Sequence, residues 1–242
     1  MTVRRFGGLL LLAGVVLCAG CGATPATPSQ FVEIPGLGST RIDVPRPTSS
    51  GPACTIAMNA DEAIGERVVA LRELGLFADR PDLSNEDISQ RVEARLDELY
   101  GGELLADDPL LELVVASLDD ARVWWGDLEA DVADGNDVYV TTLEEWAAIS
   151  KGAFKPADIR EIWDGEEGPV TVTFTLDGDN VELKPEYLED WIDPRILAPI
   201  NERIAGSGRR FELFQAFDQS AFVMALSDRE RDALEARGWC FE

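Results

Sequence analysis

Apolar residues between positions 59 and 118 recur three or four apart, which is the spacing of one face of an amphipathic helix. The first run follows Asn59, a residue type that caps helices and is followed here by acidic residues. Ser84 opens a capping-box pattern for a second run, and Pro109 marks the start of a third. The pattern therefore predicts three helices at the start of the folded part of the chain.

The strongest strand pattern lies at 170–183, where apolar residues alternate with threonines, turn at an Asp-Gly pair and return. The other predicted elements are strands at 122–127 and 137–140, a helix capped by Thr141 or Thr142, a short helix at 156–163, a helix at 194–204, a hairpin of 211–217 with 221–226, and a last helix after Ser227. Helices and strands interleave without a strict βαβ rhythm. We therefore predict the α+β class, with an N-terminal helical part followed by a mainly antiparallel sheet with packed helices in a single compact body.

The first twenty residues have the pattern of an export signal. Arg4 and Arg5 precede an apolar run at 7–19, which is too short to span a bilayer comfortably. Ala19 and Gly20 then precede Cys21, and this sequence resembles the lipobox of bacterial lipoproteins, with Cys18 where that family usually has leucine. The resemblance covers residues 1–21 and implies cleavage before Cys21, which would carry a lipid; an ordinary secretory signal or a membrane anchor is the alternative.

Residues 21–53 have the composition of a tether between that anchor and the body. Six of the 13 prolines lie in this stretch, and proline favours extended chain. A flexible coil of this length reaches about 30 Å on average. Residues 40–44 alternate polar and apolar and could add an edge strand. We therefore predict three regions: a signal peptide at 1–20, a lipidated tether at 21–53 and a globular domain at 54–242.

The cysteine positions agree with export. If Cys21 carries the lipid, Cys54 and Cys240 remain as a pair at the two ends of the globular domain. Disulfides persist in exported proteins, so we predict a bridge between them. Closing a loop of this length with a disulfide would stabilise the folded state by at most roughly 5 kcal/mol, through the entropy that the unfolded chain loses. The alternative is two buried thiols that are not bonded.

The chain has 46 acids, 21 bases and no histidine, for a formal charge of −25. Removing residues 1–20 deletes Arg4 and Arg5, so 46 acids and 19 bases leave −27. This charge excludes nucleic acid as a partner and repels anionic headgroups, so attachment to the membrane depends on the lipid at Cys21. The lack of histidine excludes Ser-His-Asp and Cys-His nucleophiles and the HExxH zinc hydrolases.

No motif for a nucleotide, a dinucleotide or a serine nucleophile occurs, and we predict no cofactor, no metal site and no catalytic residue. The residues that precede Gly135 and Gly178 do not match the calcium-binding loop of an EF-hand. A pair of carboxylates could hydrolyse glycans without histidine. Trp124 and Trp125 could stack on sugars, although adjacent strand residues face opposite ways and aromatic side chains more often fill the core.

Acidic residues concentrate in 97–137, which holds 13 acids and one base, Arg122. This bias favours either electrostatic steering of a cationic protein partner or a plain solvated surface. We therefore predict an extracytoplasmic, lipid-anchored cell-envelope protein that acts as a non-enzymatic binding or interaction module. The alternatives are a carboxylate-dependent hydrolase acting on envelope glycans and an acidic cation-binding lipoprotein.

Overall fold

The computed structural model describes residues 62–101, 109–165, 168–215 and 219–241. The described elements, in chain order, are α1 (Ile64–Glu73), α2 (Asn85–Tyr100), α3 (Pro109–Ser117), β1 (Val123–Asp127), α4 (Val138–Ile149), β2 (Ala157–Trp163), β3 (Val170–Leu176), β4 (Asp179–Leu183), a 3-10 turn (Pro194–Ile196), α5 (Leu197–Ile204), a second 3-10 turn (Ala205–Ser207), β5 (Arg210–Gln215), β6 (Ser220–Leu226) and α6 (Asp228–Ala236). The predicted signal peptide and tether, including the alternating segment 40–44, lie outside the described residues.

The strands form two antiparallel sheets of three, in the orders β1-β6-β5 and β2-β3-β4. The predicted α+β class is confirmed: helices come first, the sheets are antiparallel, and both pack into one body. The structure has two small sheets where the sequence analysis expected one. The first sheet joins β1 to strands nearly 100 residues later, and local alternation carries no information on such pairing.

The sheet β1-β6-β5 is the middle layer of the fold. Along β6, Val223 and its alternate neighbours face a core shared with α4, α5 and the second sheet. Met224 and its alternate neighbours face another core, built by α1, α2, α3 and α6. Because both faces are covered, β6 is apolar without interruption and buried from Ala221 to Leu226.

Trp124 and Trp125 sit on opposite faces of this middle sheet, as adjacent strand residues must. Trp124 meets Trp146 edge to face at 5.9 Å between ring centroids, and its Nε1 donates to Glu145 at 2.7 Å. Trp125 stacks on Phe222 at 4.9 Å. Both rings therefore pack against the hydrophobic cores. This agrees with the expectation that aromatic side chains more often fill the core than stack on sugars.

Two predicted caps form as expected. The Ser84 Oγ accepts from the Asp87 amide at 3.1 Å, and the Asp87 carboxylate accepts from the Ser84 amide at 2.9 Å. Ser227 and Glu230 repeat the arrangement at the start of α6. At α1 the predicted cap, Asn59, lies outside the described residues, and the helix begins at Ile64.

Two predictions near α4 are wrong. Residues 137–140, predicted as a strand, contain the first turn of α4, and 156–163, predicted as a helix, contains β2. The cause is a capping group far along the chain: the Glu161 Oε1 on β2 accepts from the Tyr139 amide at 2.6 Å and from the Val140 amide at 3.2 Å. The Thr142 hydroxyl, expected as a cap, donates inside the helix to the Val138 carbonyl at 2.8 Å.

None of the helices in the described ranges has both the length and the apolar character that a bilayer-spanning helix needs.

Candidate binding surface

The predicted anchor and disulfide fall largely outside the described ranges. Cys21 and Cys54 both lie there, so the lipid anchor and the Cys54–Cys240 bridge stay predictions. Cys240 is half-buried after α6 and follows Trp239, which packs in the helical core. The C-terminal end of the chain is therefore held in the fold at the position where the predicted bridge would begin.

One buried charge cluster joins the C-terminus to the helical part. Glu112 on α3 is 2% exposed and contacts Arg67 Nη1 at 3.2 Å, Arg237 Nε at 2.5 Å and Trp239 Nε1 at 3.3 Å. The Arg237 guanidinium also pairs with Glu62. Burial would lower the pKa of Arg237, but hydrogen bonds from it to Glu112 and Glu62 outweigh this effect and raise the pKa. All these charges are satisfied within the fold, so the cluster is structural.

A second cluster centres on Glu230, at the start of α6. Its carboxylate contacts Arg122 Nη2 at 2.9 Å and Arg209 Nη1 at 2.8 Å, and it accepts from Ser227. Burial would raise the pKa of Glu230, but the hydrogen bonds from Ser227 and the positive charge of Arg122 lower it to about 2. This carboxylate stays ionised and fixed, which suits a structural role and not proton transfer.

In the part of the chain that the structure describes, two carboxyl groups have a raised pKa, the property that a general acid needs. Burial raises the pKa of Asp119, which accepts a short hydrogen bond from the Phe77 amide. Burial also raises the pKa of Glu212, although Arg210 Nε and Arg231 Nε each lie 2.8 Å from its Oε1. Both acids lie inside the fold and do not line the depression described next.

An open depression of about 660 Å³ lies between β4 and the start of α5. It is lined by Glu182, Leu183, Lys184, Glu186, Asp193, Arg195, Ile196 and Pro199. The Asp193 carboxylate shapes its wall by accepting from the Glu186 amide at 2.9 Å and from Arg195 Nε at 2.7 Å. Lys184 pairs with Glu182 at 2.9 Å, and Arg195 pairs with Glu186. Both cations are thus already neutralised, so the depression is not a ready anion site.

A group of exposed acids lies on two segments of the fold, one at the end of β1 and after it, the other after β4. Asp127 at the end of β1 and the loop from there to α4 supply five carboxylates and no base, and the loop after β4 supplies two more. We call this set the acidic surface: Asp127, Glu129, Asp131, Asp134, Asp137, Glu189 and Asp190. The two loops lie side by side, because the Ala130 amide donates to the Asp190 carbonyl at 2.6 Å and the Ile192 amide donates to the Leu128 carbonyl at 2.8 Å.

Within the described ranges, no lysine or arginine forms an ion pair with a carboxylate of the acidic surface. The acid-rich segment 97–137 contributes less to it than its composition suggests, since Glu112 and Asp119 are buried and Asp120 pairs with Arg80 at 2.8 Å. Glu189 and Asp190 instead join it from beyond that segment. The surface is therefore assembled by the fold and carries negative charge that no described lysine or arginine compensates.

Within the described residues, no group of three or more histidine, cysteine or acidic side chains could hold a metal ion. Comparison with protein-family models, curated proteins and solved structures finds no match to this chain. The function is therefore argued from the chemistry of these surfaces alone.

Proposed function

We propose that this protein is a lipid-anchored binding module of the cell envelope that recognises a cationic protein partner and catalyses no reaction. In this proposal Cys21 carries the lipid, residues 22–53 hold the body away from the bilayer, and the acidic surface meets the partner. The net charge of −25 on the chain supports lipid-mediated attachment, because anionic headgroups repel such a body.

The observation that carries the proposal is the lack of compensation on the acidic surface. Elsewhere in the described fold, guanidinium groups pair with buried acids, as Arg237 does with Glu112 and Arg231 with Glu212. On the acidic surface seven exposed carboxylates repel one another, and a cationic partner would relieve that repulsion. Clustered charge of one sign also speeds encounter with an oppositely charged partner and suppresses binding of like-charged ones.

The placement of the acids with a raised pKa favours binding over glycan hydrolysis. A hydrolase of this type needs two carboxyl groups roughly 5–10 Å apart on either side of the substrate. Asp119 and Glu212 are each engaged with groups inside the fold. The carboxylates that line the open depression are instead paired with Lys184 and Arg195.

Nuclear magnetic resonance with a lysine-only peptide tests the proposal on the full-length chain in detergent micelles. The test variant neutralises three acids of the surface (Glu129→Gln, Asp131→Asn, Asp134→Asn). Its matched control neutralises three exposed acids on α2 (Glu86→Gln, Glu93→Gln, Asp97→Asn), so both lose the same charge.

We expect resonances of 127–137 and 189–190 to shift first in the wild type, and the test variant to lose most of this response while the control keeps it. High salt should weaken the response in both the wild type and the control. Equal loss in the two variants, or shifts spread evenly over the molecule, would show that net charge and not this surface attracts the peptide.

A further inference from the structure

No strand among the described residues pairs with the outer edge of β4. β4 is a terminal strand of its sheet and pairs only with β3 among the described residues. The turn before it is a two-residue hairpin turn at Asp177 and Gly178, with φ of 53° and 92°. A turn of this kind is closed by a hydrogen-bonded pair, here Leu176 with Asp179.

The alternation of antiparallel pairing then fixes which backbone groups point outward. Hydrogen-bonded pairs recur at every second position, so Val181 and Leu183 also direct their N–H and C=O groups to β3. Asn180 and Glu182 direct theirs to the open edge. These two residues offer the repeating donor and acceptor pattern that another strand requires.

The edges of two other strands are blocked. At β5 the side-chain amide of Asn201 takes the place of a strand: its Oδ1 accepts from the Phe211 amide at 2.6 Å, and its Nδ2 donates to the Phe211 carbonyl at 2.8 Å. At β2 the register is irregular between Ala157 and Arg160, and the intervening Asp158 has a φ of 53°. A bulge of this kind hinders pairing with a further strand.

The depression at the end of β4 has an apolar part, formed by Leu183, Ile196 and Pro199, among five charged lining residues. Val181 and Leu183 lie on the buried face of β4, whereas Asn180 and Glu182 are exposed. A strand added at this edge would continue the buried face beside Leu183, where Ile196 and Pro199 line the depression. Its other side chains would point to solvent, and the loop that follows β4 carries the exposed Glu189 and Asp190.

We propose that the β4 edge binds an extended segment of the partner protein, in which apolar residues alternate with basic ones. The segment pairs with the backbone of Asn180 and Glu182, places an apolar side chain in the depression and directs its basic side chains toward the acidic surface. This inference rests on the proposed function, since it takes the partner to be cationic, and it adds how that partner is recognised.

The test uses a short synthetic peptide of alternating valine and lysine, with the full-length chain in micelles. Two variants form a matched pair: Glu182→Pro removes the outward N–H, and Glu182→Ala removes the same side chain but keeps that N–H. Proline is tolerated on an edge strand where the N–H faces solvent. Unchanged amide exchange along β3 confirms that each variant keeps its sheet.

We expect the peptide to slow amide exchange at Asn180 and Glu182, and Glu182→Pro to weaken binding about tenfold, the effect of one lost hydrogen bond at the strong end of its range. Glu182→Ala should change binding less than about threefold, within the effect of an exposed charge. An analogue with N-methyl groups on alternate backbone amides keeps the charge and should not bind at this edge.

Equal binding of the N-methylated analogue, or of the Glu182→Pro variant, would overturn the strand-pairing proposal and leave charge recognition by the acidic surface intact. Slow exchange at Asn180 and Glu182 in the protein without peptide would also overturn it. If that slow exchange depended on protein concentration, a second copy of the chain would occupy the edge. If it did not, the chain's own N-terminal part would occupy it.

Discussion

Arg237 and Glu112 form an ion pair within the fold although 125 residues separate them. The Nε atom of Arg237 lies 2.5 Å from Oε1 of Glu112, and its Nη2 lies 3.1 Å from Oε2. The same carboxylate contacts Arg67, which is fully buried. One acid on α3 thus holds the end of α6 and the first turn of α1 together.

Glu112→Gln should destabilise the protein strongly, since it removes the negative charge that the buried Arg67 contacts and leaves Arg237 paired with Glu62 alone among the described acids. Breaking a buried ion pair of this type lowers the free energy of unfolding by about 3–5 kcal/mol. Urea unfolding at neutral pH measures the change. Glu98→Gln, which breaks an exposed pair with Arg95, should stay within about 0.5 kcal/mol of wild type, and similar losses in both variants would contradict this account.

Glu230 should make stability depend on pH in the acid range. Its pKa in the fold is about 2, below the ordinary value of 4.5, so its contribution is fully present above that ordinary value. The contribution is lost as pH falls from about 4.5 to about 2. The difference in unfolding free energy between wild type and Glu230→Gln should therefore shrink across this interval. A difference that stays constant from neutral pH to the acid limit would contradict the assignment.

Glu161 should determine the start of α4, because Asp137 makes no capping hydrogen bond with its side chain. Glu161→Ala should lower the free energy of unfolding by about 1–2 kcal/mol, and Glu161→Gln by less, since its side-chain oxygen can still accept from the helix amides. Glu144→Ala on the exposed face of α4 is the control. Amide exchange at Tyr139 and Val140 should accelerate only in the Glu161 variants, and unchanged exchange there would refute the role.

Cys21→Ser should release the protein from membranes if the lipid at this residue is the anchor. Fractionation of cells that express the full chain measures the distribution, and high-salt washing removes material held only by charge. Cys18→Ser is the control and should leave the protein in the membrane fraction. Retention of the Cys21→Ser protein in washed membranes would refute the lipid anchor.

Local signals predicted much of the fold correctly. Ser84 and Ser227 cap their helices through residues three positions away, so the capping information lies in adjacent sequence. The alternation at 170–176 likewise predicted β3, because one face of that strand is buried. Glu161 lies 22 residues from Tyr139, whose amide it caps at the start of α4, and no local pattern reveals that contact. A proline at position 156 then resembled the first turn of a helix where β2 forms.

The acidic surface was predictable only in part. Asp127 at the end of β1 and the loop after it hold five acids and no base, and these five acids are exposed. Composition could not show that Glu112 and Asp119, in the same acid-rich segment, turn inward to meet Arg67 and the Phe77 amide. Nor could it show that Glu189 and Asp190 join the loop, because two backbone hydrogen bonds between distant segments place them there.

The central claim is that the acidic surface binds a cationic partner in the cell envelope. In-cell chemical cross-linking of the full-length protein, compared among wild type and the two triple variants, tests it most directly. The account predicts a cross-linked species with a basic envelope protein in the wild type and in the α2 variant (Glu86→Gln, Glu93→Gln, Asp97→Asn), and its loss in the surface variant (Glu129→Gln, Asp131→Asn, Asp134→Asn). A species that forms equally in all three proteins, or that contains no basic partner, would contradict the claim.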